Sequence, residues 1–97
     1  MAVGVQIDFR GATLAQYDEI VEAMGFLPGS PSTPGALFHW VAEIGDGIRF
    51  VDVWESRDAY EEFVRKCRPI FRQAGIVGPP EVQFFEVHNY FAGRRGG

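Results

Sequence analysis

The tripeptide Gly45-Asp46-Gly47 separates two apolar segments, residues 36–43 and 48–54, and is the strongest turn signal in the sequence. An Asp-Gly pair favours a tight hairpin because both residues tolerate the positive φ angles that such turns require. The sequence therefore predicts two antiparallel strands joined at this point.

The length of this turn decides which side chains share a face of the sheet. A two-residue turn at 45–46 or at 46–47 places His39 and Asp52 on one face, and a turn at 45–46 makes them direct neighbours across the hairpin. A three-residue turn would exchange the faces of one strand and separate them. With a two-residue turn, one face carries His39, Val41, Phe50, Asp52 and Trp54, and the other carries Phe38, Trp40, Val51 and Val53.

Four further elements complete the predicted order. Residues 3–9 alternate between apolar and small or polar positions, which indicates a strand. Thr13 followed by Gln16 matches a capping box at a helix start, Ser56 matches the N-cap of a second helix, and residues 82–91 form a last strand. The order βαββαβ predicts an α+β ferredoxin-like fold, a four-stranded antiparallel sheet with both helices on one face.

Glycine and proline positions predict where the helices end or bend. Gly25 is expected to end the first helix, and the Gly- and Pro-rich residues 25–35 to form a long loop. Pro69 predicts a kink or break near Arg68 in the second helix. Spacing predicts that the apolar helix faces consist of Leu14, Tyr17, Val21 and Met24 and of Tyr60, Phe63, Val64, Cys67 and Phe71.

The 97 residues are expected to form one domain, residues 1–92, with a frayed tail at residues 93–97. Aromatic residues make up 14% of the chain, and large apolar side chains occur on both faces of the predicted second to fourth strands. The two helices can cover only one of these faces. The other face is therefore predicted to pack on a second copy, which gives a homodimer through the sheet.

Charge and composition argue against binding to nucleic acid and against a role in a membrane. A formal net charge of −4 disfavours binding to nucleic acid. No apolar run approaches the roughly 20 residues of a membrane span, and residues 1–10 lack the pattern of a signal peptide. The single cysteine, Cys67, cannot form an internal disulfide. These features favour a soluble, cytoplasmic protein that does not act at a membrane.

The segment from Phe50 to Tyr60, FVDVWESRDAY, resembles the E-x-W-x-S-x-x-A-F stretch of the dimeric α+β barrel superfamily, which includes antibiotic biosynthesis monooxygenases and small heme-degrading monooxygenases. The resemblance implies a closed dimeric barrel with ligands in a cleft between helices and sheet. Many of those monooxygenases carry a histidine about nine residues after the tryptophan, where this chain has Phe63. Phenylalanine cannot ligate iron or carry a proton, so heme degradation is not implied. Residues 86–91, EVHNYF, are similar to the ending of another branch, which implies no function.

His39 and Asp52 are the candidate catalytic residues, because a carboxylate beside an imidazole orients the ring for general-base work. Trp54 lies two residues further along the same face and could stack on a planar ligand. A purely structural role remains open, in which His39 and Asp52 simply satisfy each other's hydrogen bonds.

Further ligand-binding positions are predicted on the outer strands and on the second helix: Gln6, Asp8, Phe63, His88 and Tyr90. Neither a metal site nor a cofactor is predicted, since the two histidines lack any close metal-binding spacing.

Three functional hypotheses fit the sequence. The first is a small dimeric α+β barrel that binds a small, planar ligand in the cleft. The alternative is a cofactor-independent monooxygenase or isomerase that acts on a small aromatic substrate, with His39 as base. The third is a structural dimer with a water-filled pocket.

Overall fold

The computed structural model describes residues 2–25 and 34–91 and confirms the predicted element order. The elements are β1 (Val3–Arg10), α1 (Leu14–Ala23), β2 (Ala36–Ile44), β3 (Gly47–Trp54), α2 (Arg57–Gln73) and β4 (Glu81–Glu86). The strands form one sheet in the order β2-β3-β1-β4, and all neighbours are antiparallel. This is the ferredoxin-like arrangement. Most of the predicted long loop, residues 26–33, and the predicted tail, residues 93–97, lie outside the described residues.

The turn between β2 and β3 occupies residues 45–46, so Ile44 pairs with Gly47 and His39 pairs with Asp52. The two-residue prediction is confirmed. The position of Gly47, at the end of this turn, leaves no room for a side chain. A Cβ there would overlap the carbonyl oxygen of Phe9 and lie 2.9 Å from the Cα of Arg10, both of them backbone atoms of the neighbouring strand.

Both helix starts are confirmed by side-chain caps. The Thr13 hydroxyl accepts from the Gln16 amide at 3.1 Å, and the Gln16 side chain accepts from the Thr13 amide at 3.0 Å. The Ser56 hydroxyl accepts from the Ala59 amide at 3.1 Å. These bonds satisfy amides that have no partner within the helix.

The apolar face of α1 differs from the prediction at two positions. Leu14 is 39% exposed, whereas Ile20 is buried. Leu14 occupies the first helical position, and Ile20 lies one turn after Tyr17 on the side that meets the core. The face that packs inward therefore consists of Tyr17, Ile20, Val21 and Met24.

The predicted break at Pro69 and the predicted end of the last strand are wrong. The helix α2 runs through Pro69 without a break. Pro69 and Arg65, whose carbonyl loses its usual amide partner, are both exposed, so water can satisfy that carbonyl. The strand β4 stops at Glu86 rather than continuing to residue 91. Glu86 pairs with Val3, the first residue of β1, and beyond that pair one backbone bond joins the Val87 amide to the Ala2 carbonyl at 3.2 Å.

The core lies between the sheet and the helices, and the other sheet face carries no helix. Core side chains from the sheet include Val5, Ile7, Ile48, Phe50 and Trp54, with Ile20, Tyr60 and Ile76 packed against them. The uncovered face exposes 42% of Trp40 and 53% of Phe85. Neither described helix is long and apolar enough to cross a membrane.

Candidate functional site

A cavity of about 650 Å³ lies between the inner face of the sheet and the two helices. Its wall is mostly apolar and aromatic, with a few polar side chains at defined places. That volume and character are typical of sites for small organic ligands. The sheet contributes Ile7, Phe9, Ala36, Phe38, His39, Phe50, Asp52, Trp54 and Val82, and the helices contribute Tyr17, Ile20, Val21, Met24, Tyr60, Phe63, Val64, Cys67, Arg68, Phe71 and Arg72.

Four side chains form a continuous hydrogen-bonded chain in the wall of this cavity. Asp52 Oδ2 accepts from Trp54 Nε1 at 3.2 Å, and Asp52 Oδ1 lies 2.5 Å from His39 Nδ1. The other ring nitrogen of His39, Nε2, lies 2.9 Å from the Tyr17 hydroxyl. The predicted pairing of His39 with Asp52 is therefore present, and it extends at both ends to residues of the cavity wall.

The proton positions along this chain are inferred from which groups can donate and which can accept. An ionised carboxylate can only accept hydrogen bonds, so Asp52 requires a proton on His39 Nδ1. In the neutral ring, Nε2 then accepts from the Tyr17 hydroxyl. Burial, followed by the charges of Asp52 and Asp18, raises the pKa of Tyr17 above its ordinary value of 10.0, which keeps that hydroxyl protonated.

The two ends of the ion pair differ in their access to water. The Asp52 side chain is 8% exposed, whereas the His39 side chain is 42% exposed. Asp52 is thus fixed by protein donors alone, and His39 is the member of the pair that a molecule entering the cleft can reach. This is the order in which an orienting carboxylate and a proton-accepting imidazole are expected to lie.

Trp54 is only 2% exposed, and its ring is covered by Tyr60 and Phe63 at centroid distances of 5.9 and 5.1 Å. Its contact with the site is the indole N–H that binds Asp52. Trp54 therefore contacts Asp52 through its indole N–H, and its buried ring offers no open stacking surface. Phe63 is half-buried and lines the cavity.

The remaining predicted site residues are not brought to His39 and Asp52. His88 and Tyr90 are exposed, follow the end of β4 and do not line the cavity. Gln6 and Asp8 alternate with the core residues of β1 and therefore lie on the outer face of the sheet. There Asp8 binds Arg49 through two hydrogen bonds of 2.7 and 2.9 Å, which hold the pKa of Asp8 below its usual value.

Tyr17 is the site residue that the sequence reasoning assigned only to an apolar helix face. Its ring does pack on Phe50, at a centroid distance of 5.3 Å. The sequence offered one clue to its role, because a buried tyrosine hydroxyl usually forms a hydrogen bond to a partner. Only the tertiary position of α1 over β2 shows that this partner is His39.

Groups that could bind metal or act as nucleophiles are limited in the described part of the chain. Within residues 2–25 and 34–91, no cluster of three or more His, Cys, Asp or Glu side chains is placed to hold a metal ion. The Cys67 thiol is buried, which raises its pKa to about 11 and keeps it protonated. Burial also raises the pKa of Tyr60 to about 12.

Comparison with solved structures confirms the resemblance to antibiotic biosynthesis monooxygenase-like proteins at the level of the fold. Rv0793 from Mycobacterium tuberculosis aligns with a TM-score of 0.63 and 17% identity over 95% of this chain and 100% of its own. SnoaB from Streptomyces nogalater, described as a cofactor-independent oxygenase, aligns with a TM-score of 0.60 and 14% identity over 92% of this chain and 94% of its own.

A monooxygenase from the gene ActVA-Orf6 of Streptomyces coelicolor, solved in complex with the ligand Nanaomycin D, aligns with a TM-score of 0.57 and 20% identity over 96% of this chain and 92% of its own. No protein-family model and no curated protein matches the sequence. At these identities the similarity shows the fold, and function must be argued from the site.

Proposed function

We propose that this protein binds a small, planar aromatic molecule in the cleft between its sheet and its helices. The observation that carries the proposal is the combination of an apolar cavity of about 650 Å³ with one polar edge made by Tyr17, His39 and Asp52. An apolar cavity binds a ring system through burial, and a few fixed polar groups determine its orientation.

The aromatic side chains around His39 favour a flat ligand. Phe50 makes edge contacts with both Tyr17 and His39, at centroid distances of 5.3 and 5.7 Å. On its other side Phe50 packs against Phe71 at 6.2 Å. Such a cluster offers ring faces and edges to a further ring, which aromatic groups prefer to meet in offset or edge-on geometry.

The second candidate function is cofactor-independent oxygenation that begins with proton removal by His39. The 2.5 Å approach of Asp52 to Nδ1 favours it, because it leaves Nε2 as the proton-accepting atom. The Tyr17 hydroxyl is hydrogen-bonded to Nε2. A substrate must therefore either displace this hydroxyl or transfer its proton to His39 through it. The description of SnoaB as a cofactor-independent oxygenase supports this candidate by analogy of fold alone.

We also propose that the protein is a homodimer through the uncovered face of its sheet. The exposed Trp40 and Phe85 on that face support the proposal. Phe85 lies in one row across the sheet with Gly4 and Val53, and Trp40 lies in the next row, paired with Val51. A second copy related by a two-fold axis would cover this apolar end of the face.

Calorimetric titration with 2-naphthol, a planar phenol, tests the binding proposal. Wild-type protein is expected to bind it saturably, and His39→Ala to weaken binding roughly 2- to 10-fold, which is the effect of one net hydrogen bond of about 0.5–1.5 kcal/mol. His88→Ala is the matched control and should leave binding unchanged, since His88 does not line the cavity. Absence of saturable binding, or equal losses in the two variants, would contradict the proposal.

Anthrone, a planar three-ring ketone with an acidic CH₂ group, separates binding from catalysis. If His39 removes a CH₂ proton, the carbanion can react with dioxygen to give anthraquinone and one water per dioxygen consumed. Oxygen uptake that falls roughly 10²- to 10⁴-fold in His39→Ala supports the enzyme candidate. Saturable binding of anthrone without oxygen uptake supports binding alone.

A further inference from the structure

Two arginines on the second helix, Arg68 and Arg72, line the same cavity as His39. They are four residues apart on α2, so they project from the same side of the helix one turn after the other. Both residues are exposed. Exposure and cavity lining are compatible in arginine, because its aliphatic stem can cover an apolar wall while its charged end stays at the mouth of the cavity.

These arginines differ from every other arginine in residues 2–25 and 34–91. Each of the other four is bound to a carboxylate: Arg10 to Asp46 and Glu81, Arg49 to Asp8, Arg57 to Glu61, and Arg65 to Glu62. Within that part of the chain, Arg68 and Arg72 have no ion-pair partner. On a chain with a formal net charge of −4, two adjacent arginines without a carboxylate need an explanation.

Electrostatic attraction to the C-terminal end of α2 can explain only one of the two unpaired arginines. Arg72 lies in the last turn of α2, where a cation interacts favourably with the carbonyl end of the helix. Arg68 lies before that turn, and the effect falls off within a single turn.

The charge of the cavity wall supports an anionic ligand. Among the described residues that line the cavity, Asp52 is the only acid, and its two oxygens are already bound to His39 and Trp54. The wall therefore offers two guanidinium groups and no carboxylate to pair with them. A guanidinium presents parallel N–H donors that match the two oxygens of a carboxylate.

We infer that the ligand of this cleft is an aromatic carboxylate, whose planar rings fill the apolar cavity and whose carboxylate is bound by Arg68 and Arg72 at the mouth. This rests on the proposed function and specifies its ligand class. One end of the ligand meets the two arginines, and its ring system packs against the apolar wall. A ligand with a charge at only one end would then enter the cleft in a single orientation.

The test compares 2-naphthoate with its neutral isostere 2-naphthamide by calorimetry. Wild-type protein is expected to bind the acid roughly tenfold or more tightly, as charge-assisted hydrogen bonds are the stronger kind. The double variant Arg68→Gln with Arg72→Gln should lose this preference and keep its affinity for the amide. Arg65→Gln, the matched control on the same helix, should retain the preference because Arg65 pairs with Glu62 outside the cavity.

Each outcome bears on one of the two proposals. If neither compound binds, the proposed function fails. If both bind the wild type equally, or the double variant keeps the preference for the acid while remaining folded by circular dichroism, the cleft binds rings but the assignment of an anionic ligand is overturned. The wild-type comparison needs no variant, so a failure of the double variant to fold leaves the inference testable.

Discussion

Asp52→Ala is expected to lower the free energy of unfolding by about 2–4 kcal/mol. The side chain is buried and is the acceptor for both the indole N–H of Trp54 and the Nδ1–H of His39. Removing it leaves the Trp54 donor without a partner in a place that water does not reach. His39 is partly exposed, so water can replace part of its lost bond, and this limits the total loss.

Urea unfolding measures this change, and Asp18→Ala serves as the control. Asp18 is an exposed aspartate on α1 with no ion pair among the described residues, so its removal should change stability by no more than about 0.5 kcal/mol. A loss for Asp52→Ala as small as that of the control would mean that the hydrogen-bonded chain does not hold the site together.

Trp40→Arg is expected to convert a dimer into a folded monomer. Trp40 is 42% exposed on the uncovered face of the sheet, so an arginine there should be tolerated by a single chain. In a two-fold dimer the substitution occurs twice, and each guanidinium would be buried without a partner. We expect the dissociation constant of the dimer to rise at least 100-fold, which corresponds to about 3 kcal/mol.

Sedimentation velocity at about 10 µM protein distinguishes the two states, with circular dichroism to show that the helices remain. Ala15→Arg is the control, because it adds the same charge at an exposed position of α1, on the opposite side of the molecule from the uncovered face. A monomeric wild type, or a Trp40→Arg variant that sediments like the wild type as a dimer, would rule out dimerisation through this face.

Local signals allowed much of the fold to be predicted from the sequence. The Gly45-Asp46 turn determines the register of β2 and β3, and that register alone brings His39 opposite Asp52. Capping side chains at Thr13 and Ser56 determine where the helices begin. These features depend on residues close in sequence, so single positions were informative.

Features that depend on distant residues were not predictable in the same way. β4 ends at Glu86 because its partner β1 begins at Val3, which no pattern within residues 82–91 reveals. That early end leaves His88 and Tyr90 away from the cleft. The hydrogen bond of Tyr17 to His39 depends on how α1 packs on the sheet, and helical spacing alone indicated only an apolar position.

We infer that Asp52 holds His39 with its proton on Nδ1, so that Nε2, which the Tyr17 hydroxyl contacts in the free protein, is the ring nitrogen available to a ligand. Nitrogen NMR of the imidazole rings, at a pH where they are neutral, tests this directly, and the two histidines can be assigned with His88→Ala. We expect a pyrrole-like Nδ1 and a pyridine-like Nε2 for His39, and an Nε2 signal that shifts when 2-naphthol is added. In Asp52→Asn the tautomer should be reversed, because the amide can donate to Nδ1. A wild-type His39 with its proton on Nε2, or an Nε2 signal that 2-naphthol leaves unchanged, would contradict it.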